Sequence, residues 1–343
     1  MSGKKIAVLG AGANGASIGA DLTRAGADVV LIEQWPAHVE AMRARGLRIN
    51  MPTSSIDVPV RTLHLCEVAT LREKFDYVLM LMKAYDSRWA AHLVEPHLEP
   101  DGLLVGVQNG MTVDAIAEVV GSSRTLGCVI EITSAMFEPG IVERHSPPDR
   151  SWFAVGSLGP DTRGREEEIA TLLRQVGAVE VVDDIRAAKW MKIVSNATTL
   201  VTTAIVGLPM IEAAADPRMR EFMLRSGQEA LDATVGLGNP VLPIFGLTED
   251  ALGRPEKRVE VLLDTLLGGF VMPDSKTTIL QDWMKGRRSE VDDINGLVAE
   301  THRRLGGRAP ANEAVVEVAH QIENHELKPG VENLDLLLEL ERR

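Results

Sequence analysis

Apolar and polar positions follow one another in regular blocks along the first part of the chain. The runs "KKIAVLGAG", "DVVLIE", "DYVLMLMK" and "GLLVGVQNG" are almost continuously apolar at their centres, as expected for parallel strands that are buried on both faces. A segment with helical periodicity follows each of the first two runs. "NGASIGADLTRAG" ends at Gly26, and "PAHVEAMRARG" has Pro36 in its first turn and Gly46 at its end. These β–α–β units predict an α/β fold with a Rossmann-type doubly wound sheet.

The pattern changes after about residue 127. The segments 128–146, around a Pro-Gly turn, and 151–159 predict strands that are compatible with antiparallel pairing. A helix at 166–177 and a strand at 179–184 follow, and helical periodicity dominates from 185 onward. We therefore expect a dinucleotide-binding Rossmann domain over 1–185 and an all-helical domain over 186–343. A loop between helices is expected at about 236–256.

Composition narrows the classes of partner. The 343 residues are 45% hydrophobic and 25% charged, as in an ordinary soluble globular protein. The formal net charge of −13 argues against nucleic acid or an anionic membrane surface as the main partner. Cys66 and Cys128 lie far apart and outside any CxxC pattern, so we expect no disulfide framework and no metal site. This cysteine usage fits a cytoplasmic location.

The segment 189–207, "KWMKIVSNATTLVTTAIVG", raises a question about its lysine. No charged side chain follows Lys192 until Glu212, yet Ser195, Asn196 and four threonines favour a buried core helix over a membrane span. Lys192 either extends its amine to solvent or is held in a dry site where a reaction needs its proton. Asn196 lies four residues later and shares a helix face with Lys192.

A glycine fingerprint follows the first strand. Gly10, Gly12 and Gly15 form G-x-G-x-x-G around Ala13 and Asn14, at the point where a strand leads into a helix. This context predicts a dinucleotide site in which the helix N-terminus attracts the pyrophosphate. The alternative is a glycine-rich turn without a ligand.

Other candidate residues follow the predicted strands. Glu33 ends the second strand, where a carboxylate can bind the ribose hydroxyls of the cofactor, although it could equally be an exposed strand-end residue. Lys83 and Asn109 follow two later strands, at the sheet edge where ligands bind, but Asn109-Gly110 is also a favourable turn. Glu290 precedes an apolar helical stripe, and Ser289 is a candidate cap for that helix, so Glu290 could simply complement the helix dipole.

These motifs together resemble the ketopantoate reductase (2-dehydropantoate 2-reductase) family. The matching segments are "VLGAGANG", "MKAYD", "QNGM", "KWMKIVSNA", "SKTTILQDWMKGRRSEVDDING" and "GGRAPANE", and they occur in order along most of the chain. The most specific are W-x-K-x-x-x-N at 190–196 and the unit at 280–296. The resemblance implies a Rossmann domain followed by a helical domain, with the active site in the cleft between them and a homodimer formed through the helical domain.

The resemblance also assigns roles to residues. It implies that Lys192 is the catalytic lysine and Glu290 the carboxylate that binds the substrate. Asn109 and Asn196 correspond to asparagines that border substrate and cofactor. Thr278 stands where the family commonly has a substrate-contacting serine, and Lys83 corresponds to a lysine on the cofactor side. The implied reaction is the reduction of a small 2-oxo acid to a 2-hydroxy acid.

Two departures from the family pattern concern substrate and cofactor. Leu200 replaces a second asparagine four residues beyond Asn196, and Glu33-Gln34 stands where a basic residue often holds the 2′-phosphate. We therefore expect NAD(H) to be preferred, with NADP(H) usable, and leave the exact hydroxylated 2-oxo acid open.

Two rival hypotheses are a β-hydroxyacid dehydrogenase of the 3-hydroxyisobutyrate type and a non-catalytic NAD-binding regulator. The unit at 280–296 argues against the first, and the presence together of Lys192, Asn196, Thr278 and Glu290 argues against the second.

Overall fold

The computed structural model describes residues 3–343. Its internal contacts divide the chain into two compact units, Met1–Arg186 and Ala187–Arg343. Within residues 3–343, no helix combines the length and apolar character needed to span a membrane.

The first unit contains all the strands that the structure describes. They are β1 (Lys5–Leu9), β2 (Asp28–Glu33), β3 (Leu47–Met51), β4 (Ser54–Val58), β5 (Arg61–His64), β6 (Phe75–Met80), β7 (Leu98–Gly106), β8 (Thr125–Glu131), β9 (Ser134–Glu138), β10 (Ile141–Arg144), β11 (Trp152–Ser157) and β12 (Ala178–Val181). Its helices are α1 (Ala13–Arg24), α2 (Pro36–Arg45), α3 (Ser87–Val94), α4 (Val113–Val120) and α5 (Glu166–Leu173).

The main sheet has eight strands in the order β12-β11-β8-β7-β6-β1-β2-β5. All neighbours are parallel except β8 and β11, which pair antiparallel. Both faces of the sheet are buried: in β1, Ile6 and Val8 belong to one apolar layer, and Ala7 and Leu9 to the other. The predicted α/β fold with its doubly wound sheet is thus confirmed.

A second sheet was not predicted as such, although the antiparallel strands around the Pro-Gly turn at 139–140, which form its hairpin, were predicted. It has four strands in the order β4-β3-β10-β9, in which β9 and β10 form an antiparallel hairpin and β10 pairs parallel with β3. β3 also pairs antiparallel with β4 across a short turn, and its sequence Leu47–Met51 alternates strictly between apolar and polar residues. This local signal for a strand was missed, whereas the pairing of β3 with β10, about ninety residues away, leaves no local signal.

The second unit is helical among the residues described. Its helices are α6 (Ile185–Ile205, which begins at the boundary), α7 (Met210–Ala215), α8 (Pro217–Gly236), α9 (Glu249–Leu252), α10 (Arg258–Gly269), α11 (Thr278–Met284), α12 (Leu297–Arg304), α13 (Pro310–Glu323) and α14 (Asn333–Leu340). A π-helical segment, Asp292–Gly296, leads directly into α12. The predicted loop at 236–256 is present, although it includes the short helix α9.

Helix α6 is the buried helix that the sequence predicted. Its four threonines, Thr198, Thr199, Thr202 and Thr203, each donate a hydrogen bond to the carbonyl oxygen four residues earlier, at 2.6–2.9 Å. Because these hydroxyls are satisfied within the helix, they are compatible with an apolar environment. The π-helical segment that follows Glu290 has no counterpart in the predicted pattern. The apolar stripe expected after Glu290, formed by Val291, Ile294, Leu297, Val298 and Leu305, is buried at Val291, Ile294 and Val298, but Leu305 lies beyond the end of α12 at Arg304 and is 48% exposed.

Candidate functional site

The glycine loop between β1 and α1 has the shape that a dinucleotide pyrophosphate requires. Gly10 has φ +93°, and a Cβ there would lie 2.8 Å from the backbone of Leu81. A Cβ at Gly15 would lie 2.0 Å from the carbonyl oxygen of Gly10, so this glycine permits close packing of the helix. A Cβ at Gly12 would meet nothing within 4 Å, so open space lies in front of the first turn of α1.

The first turn of α1 presents donors to that space. Gly12 is the N-cap residue and supplies no side-chain cap, and Ala13 and Asn14 begin the helix. The first N–H groups of an α-helix have no partner within the helix, and they carry its positive dipole end. The loop residues therefore fit the phosphates of a dinucleotide. The Asn14 side chain has another role, because its Oδ1 accepts a hydrogen bond from the hydroxyl of Ser134 in β9.

His38, which the sequence analysis did not identify, supports the glycine loop from α2. Its ring is fully buried, and Nε2 lies 3.1 Å from the carbonyl oxygen of Ala11. The backbone N–H of Gly140 donates to Nδ1 at 2.8 Å, so Nδ1 carries no proton and Nε2–H donates to Ala11. Burial lowers the pKa of His38 to about 4, although the bond to Ala11 opposes this shift. The imidazole is therefore neutral at physiological pH.

The other predicted cofactor residues lie at the carboxyl ends of adjacent strands. Glu33 is the last residue of β2, while Lys83 and Asn109 each follow the end of β6 or β7 by three residues. In the sheet order β7-β6-β1-β2, these positions surround the glycine loop that follows β1. The structure thus brings the predicted cofactor residues to one edge of one sheet, as expected for an α/β nucleotide site.

Glu33 is buried, which argues against the alternative that it is merely an exposed residue at a strand end. It is 7% exposed, and its Oε1 accepts hydrogen bonds from the backbone N–H groups of Gln34 and Trp35, both at 2.9 Å. The carboxylate is therefore fixed at the end of β2. A carboxylate can accept about four hydrogen bonds, so this arrangement is compatible with contacts to the ribose hydroxyls.

The basic groups near Glu33 in sequence or register have acidic partners. Arg43 in α2 pairs with Glu40 and Glu67. His64 is the register partner of Glu33 on β5, and its Nε2 lies 2.7 Å from Glu40. These pairs leave the surroundings of Glu33 acidic in character.

In the second unit, α6 carries the predicted lysine and asparagine. Lys192 is 7% exposed and Asn196 is 1% exposed. A lysine that extended its amine to solvent would be far more exposed. The alternative in which Lys192 reaches solvent is therefore excluded. Lys189, one turn earlier, is 2% exposed and was missed by the sequence analysis. Its spacing of three from Lys192 was a signal that could have identified it.

An aromatic residue lies against Lys192. The Lys192 Nζ is 5.0 Å from the centroid of the Phe245 ring, within the range of a cation–π interaction. Phe245 lies in the loop between α8 and α9, and its ring pairs with that of Phe270 at 5.3 Å. The loop was expected from the sequence, but Phe245 was not among the candidate residues.

Ser289, the residue before Glu290, is held by Glu323 of α13. The Oε1 atom of Glu323 accepts hydrogen bonds from the backbone N–H of Ser289 at 2.8 Å and from its hydroxyl at 2.6 Å. The same oxygen accepts from Trp283 Nε1 in α11, at 3.1 Å. The expected cap from Ser289 is present only as a long bond of 3.4 Å to the Val291 N–H. Glu290 itself is 3% exposed.

Through Glu323, these bonds link Ser289, next to Glu290, to Trp283 of α11, the helix that begins at Thr278. Thr278 is the first residue of α11, and the preceding Thr277 caps that helix through its hydroxyl. Burial and the nearby charge of Glu290 raise the pKa of Asp293 to about 6, while Arg288 opposes the shift. A second carboxyl group thus lies within electrostatic range of Glu290.

Two asparagines from the family-like motifs attach this region to α6. Asn295 in the π-helical segment donates to Asn312 Oδ1 at 2.8 Å and makes a longer contact of 3.4 Å with the carbonyl oxygen of Ala197. Asn312 in turn donates to Glu229 at 2.7 Å. This buried network fixes the segment after Glu290 against the turn of α6 that follows Asn196. The presence of Asn295 and Asn312 in these motifs is therefore explained by the hydrogen bonds that hold the helices together.

The fold and the two residue sets define a dinucleotide-dependent oxidoreductase with a helical second unit. Residues 6–157 match the family model "Ketopantoate reductase PanE/ApbA", and residues 184–323 match "Ketopantoate reductase PanE/ApbA C terminal". The chain belongs to the ketopantoate reductase family. It is accordingly an NAD(P)H-dependent oxidoreductase of the type that reduces small 2-oxo acids.

Individual relatives agree with this placement. The chain is 26% identical to a 2-dehydropantoate 2-reductase of Mesorhizobium japonicum, over 93% of this chain and 97% of that protein. A ketopantoate reductase structure from Ralstonia eutropha JMP134 superposes with a TM-score of 0.77 at 26% identity, covering 94% of this chain and 99% of the other. D-mandelate dehydrogenase with NADH and anilino(oxo)acetate superposes with a TM-score of 0.83, over 94% and 99% of the two chains. At 19% identity, this last similarity concerns the fold alone.

Proposed function

We propose that this protein reduces a hydroxylated 2-oxo acid, 2-dehydropantoate or a close analogue, to the 2-hydroxy acid, with Lys192 as the proton donor. The observation that carries the proposal is a buried lysine one turn from a buried asparagine, on a helix whose other polar side chains are largely satisfied internally. A bound nicotinamide would supply the hydride. The overall change consumes a 2-oxo acid, NAD(P)H and one proton, and yields a 2-hydroxy acid and NAD(P)⁺.

The residues of this chain perform the remaining tasks. The Lys192 ammonium donates its proton to the substrate carbonyl oxygen and stabilises the negative charge that develops there. Glu290 accepts a hydrogen bond from the second hydroxyl of the substrate, and its burial makes that contact selective. Asn109, Asn196 and Thr278 orient substrate and nicotinamide.

The first test is the oxidation of NADH by 2-dehydropantoate and other 2-oxo acids. Lys192→Ala should lower kcat by on the order of 10² to 10⁴ if Lys192 is the general acid. Lys328→Ala, which removes an exposed lysine of the same unit, is the matched control and should retain native turnover. A well-folded Lys192→Ala enzyme with native kcat would refute the assignment.

The role of Glu290 is tested separately through KM. Glu290→Ala should raise the KM for a hydroxylated substrate more than Glu290→Gln does, because glutamine keeps a hydrogen-bond acceptor at this position. If KM is unchanged in both variants, Glu290 is a helix-start residue without a role in substrate binding.

We also propose that NADH is preferred to NADPH. NADPH would place a phosphate dianion near the Glu33 carboxylate, and Arg43 and His64 are engaged by acidic side chains. Two like charges about 4 Å apart repel by on the order of 4 kcal/mol at an effective dielectric constant of 20. Solvent screening and relaxation reduce this to a preference of about tenfold in kcat/KM. Glu33→Ser with Gln34→Arg should reverse the preference, whereas equal use of both cofactors by the native enzyme would contradict the proposal.

The assembly and location are proposed from the family and the composition. We place the enzyme in the cytoplasm as a homodimer formed through the helical unit, with the 2-oxo acid and its 2-hydroxy acid product as its small-molecule partners. Two distant cysteines suit a reducing compartment. Sedimentation velocity of the full chain measures the mass, and a monomer at micromolar concentration would remove the dimer from this proposal.

A further inference from the structure

The turn at 244–247 holds Phe245 in an unfavourable backbone conformation. Phe245 has φ +63° and Gly246 has φ +73°, and the N–H of Leu247 donates to the carbonyl oxygen of Ile244 at 3.2 Å. Two successive positive φ values occur in type I′ turns, whose first central position favours asparagine, aspartate or glycine. A large side chain in this region is strained, and strain of this kind is concentrated at ligand-binding sites.

The strained turn places an aromatic ring beside the candidate catalytic amine. Phe245 is 6% exposed, and its ring centroid lies 5.0 Å from Lys192 Nζ. The Phe270 ring, at the end of α10, packs against it with a centroid distance of 5.3 Å and an interplanar angle of 43°. The pair holds the Phe245 ring in one position.

The distance to Lys192 places this ring beside the substrate. A proton donor must lie about 2.6–3.2 Å from the oxygen that it protonates. The Phe245 ring centre is 5.0 Å from the same nitrogen, so a substrate bound on the ring side of Lys192 has the groups attached to its carbonyl carbon beside the ring. The face of an aromatic ring carries partial negative charge, so it disfavours the substrate carboxylate and favours the other substituent, provided that this is apolar.

A second apolar side chain points to the same conclusion. Leu200 lies on α6 one turn beyond Asn196 and two turns beyond Lys192, so the three residues follow one stripe of the helix. Leu200 is partly buried and offers no hydrogen bond. The stripe that begins with the proton donor therefore ends with an apolar residue.

We propose that Phe245 is a specificity-determining residue: with Phe270 it forms an apolar wall that selects 2-oxo acids with a bulky apolar group on carbon 3. This inference rests on the proposed function and narrows it. Glu290 binds the distal hydroxyl, whereas Phe245 recognises the bulk next to the reacting carbonyl. A quaternary or aryl-bearing carbon meets this requirement, and an unbranched chain does not.

The test compares two substrates that differ only in that bulk. They are 4-hydroxy-3,3-dimethyl-2-oxobutanoate, which is 2-dehydropantoate, and 4-hydroxy-2-oxobutanoate, which lacks the two methyl groups. The measured quantity is the ratio of their kcat/KM values with NADH. Methyl groups in an apolar pocket give on the order of tenfold to hundredfold discrimination each, so the native ratio should exceed about ten.

Variants assign the discrimination to Phe245. In Phe245→Asn the ratio should fall to within about threefold of one, through loss of kcat/KM for the dimethyl substrate alone. Asparagine tolerates positive φ, which offsets part of the stability lost when a buried phenylalanine is removed, so this variant should unfold at a lower temperature than the native protein. Phe245→Leu keeps apolar volume, so its ratio should lie between that of the native enzyme and that of Phe245→Asn. His325→Asn relieves the other positive φ value of a non-glycine residue in 3–343 and should leave the ratio unchanged.

The outcomes separate this inference from the proposed function. If the native enzyme turns over both substrates at similar kcat/KM, or if Phe245→Asn keeps the native ratio, the inference is wrong and the reductase assignment stands. If the native enzyme reduces neither compound nor any other 2-oxo acid with NADH or NADPH, the proposed function fails and this inference fails with it. Should Phe245→Asn not fold, Phe270→Leu provides the same comparison, with a smaller expected fall in the ratio.

Discussion

At the scale of single residues, His38 and Phe245 have roles that their sequence neighbourhoods do not reveal. The glycine loop of Gly10 and Gly12 and the burial of Lys192 could be predicted, because each lies in a short local motif. His38 could not, because its partners Ala11 and Gly140 lie 27 and 102 residues away in the chain. The position of the Phe245 ring likewise depends on a turn conformation that its sequence disfavours.

Protonation of His38 should destabilise the protein in acid. The folded pKa of about 4 lies below the ordinary 6.5, so between these values the unfolded chain binds more protons and stability falls as the pH falls. The shift corresponds to about 3 kcal/mol in full, and to roughly 2 kcal/mol at pH 5. His38→Gln keeps a donor for Ala11 but has no such titration.

Denaturant unfolding of the two proteins at pH 7, 6 and 5 measures this effect. The native protein should lose about 2 kcal/mol more than His38→Gln between pH 7 and pH 5. His92→Gln, at an exposed position in α3, is the control for replacing an imidazole on the surface. A difference between native and His38→Gln that stays constant with pH would show that the imidazole is not buried in its neutral form.

At the scale of elements, the strands with continuous apolar runs were predictable. The short strands β3 and β4 of the second sheet were not predicted. The bounds of β2 and α2 follow directly from their sequence patterns, because apolar runs, prolines and glycines mark them locally. The pairing of β3 with β10 and the π-helical start of the Glu290 region depend on tertiary contacts. Such contacts leave no local signal, whereas the alternating strand Leu47–Met51 and its hairpin partner β4 did leave one, and it was missed.

The packing of α6 against α8 gives a prediction for two glycines. A Cβ on Gly227 of α8 would lie 2.1 Å from Thr198 Oγ1 and 2.6 Å from Val259 Cγ1, whereas a Cβ on Gly268 of α10 would meet nothing within 4 Å. Gly227→Ala should therefore destabilise the protein by about 1–3 kcal/mol. Gly268→Ala should stabilise it by up to about 1 kcal/mol through helix propensity. Thermal unfolding checks both, and equal midpoints would mean that α8 can move away from α6 at little cost.

At the scale of the whole molecule, the candidate residues divide between the two units. The glycine loop, Glu33, Lys83 and Asn109 lie in Met1–Arg186, and Lys192, Asn196, Thr278 and Glu290 lie in Ala187–Arg343. The prediction of a Rossmann domain over 1–185 and a helical domain over 186–343 was based on the change from strands to helices along the motifs. The exact substrate could not be predicted, because it depends on side chains such as Phe245 that are far from the motifs.

This division predicts that binding of NADH and binding of substrate are separable by mutation. Lys192→Ala and Glu290→Ala should keep the native Kd for NADH, measured by calorimetry without substrate. Glu33→Ala should weaken NADH binding by roughly tenfold to a hundredfold, because hydrogen bonds to a charged group contribute about 1.5–3 kcal/mol and 1.4 kcal/mol is tenfold. Glu33 also accepts from the Gln34 and Trp35 N–H groups, so Glu33→Gln, which keeps an acceptor for them, separates ribose binding from support of the turn. A loss of NADH affinity in Lys192→Ala as large as in Glu33→Ala would show that the helical unit binds the cofactor as strongly as the strand ends do.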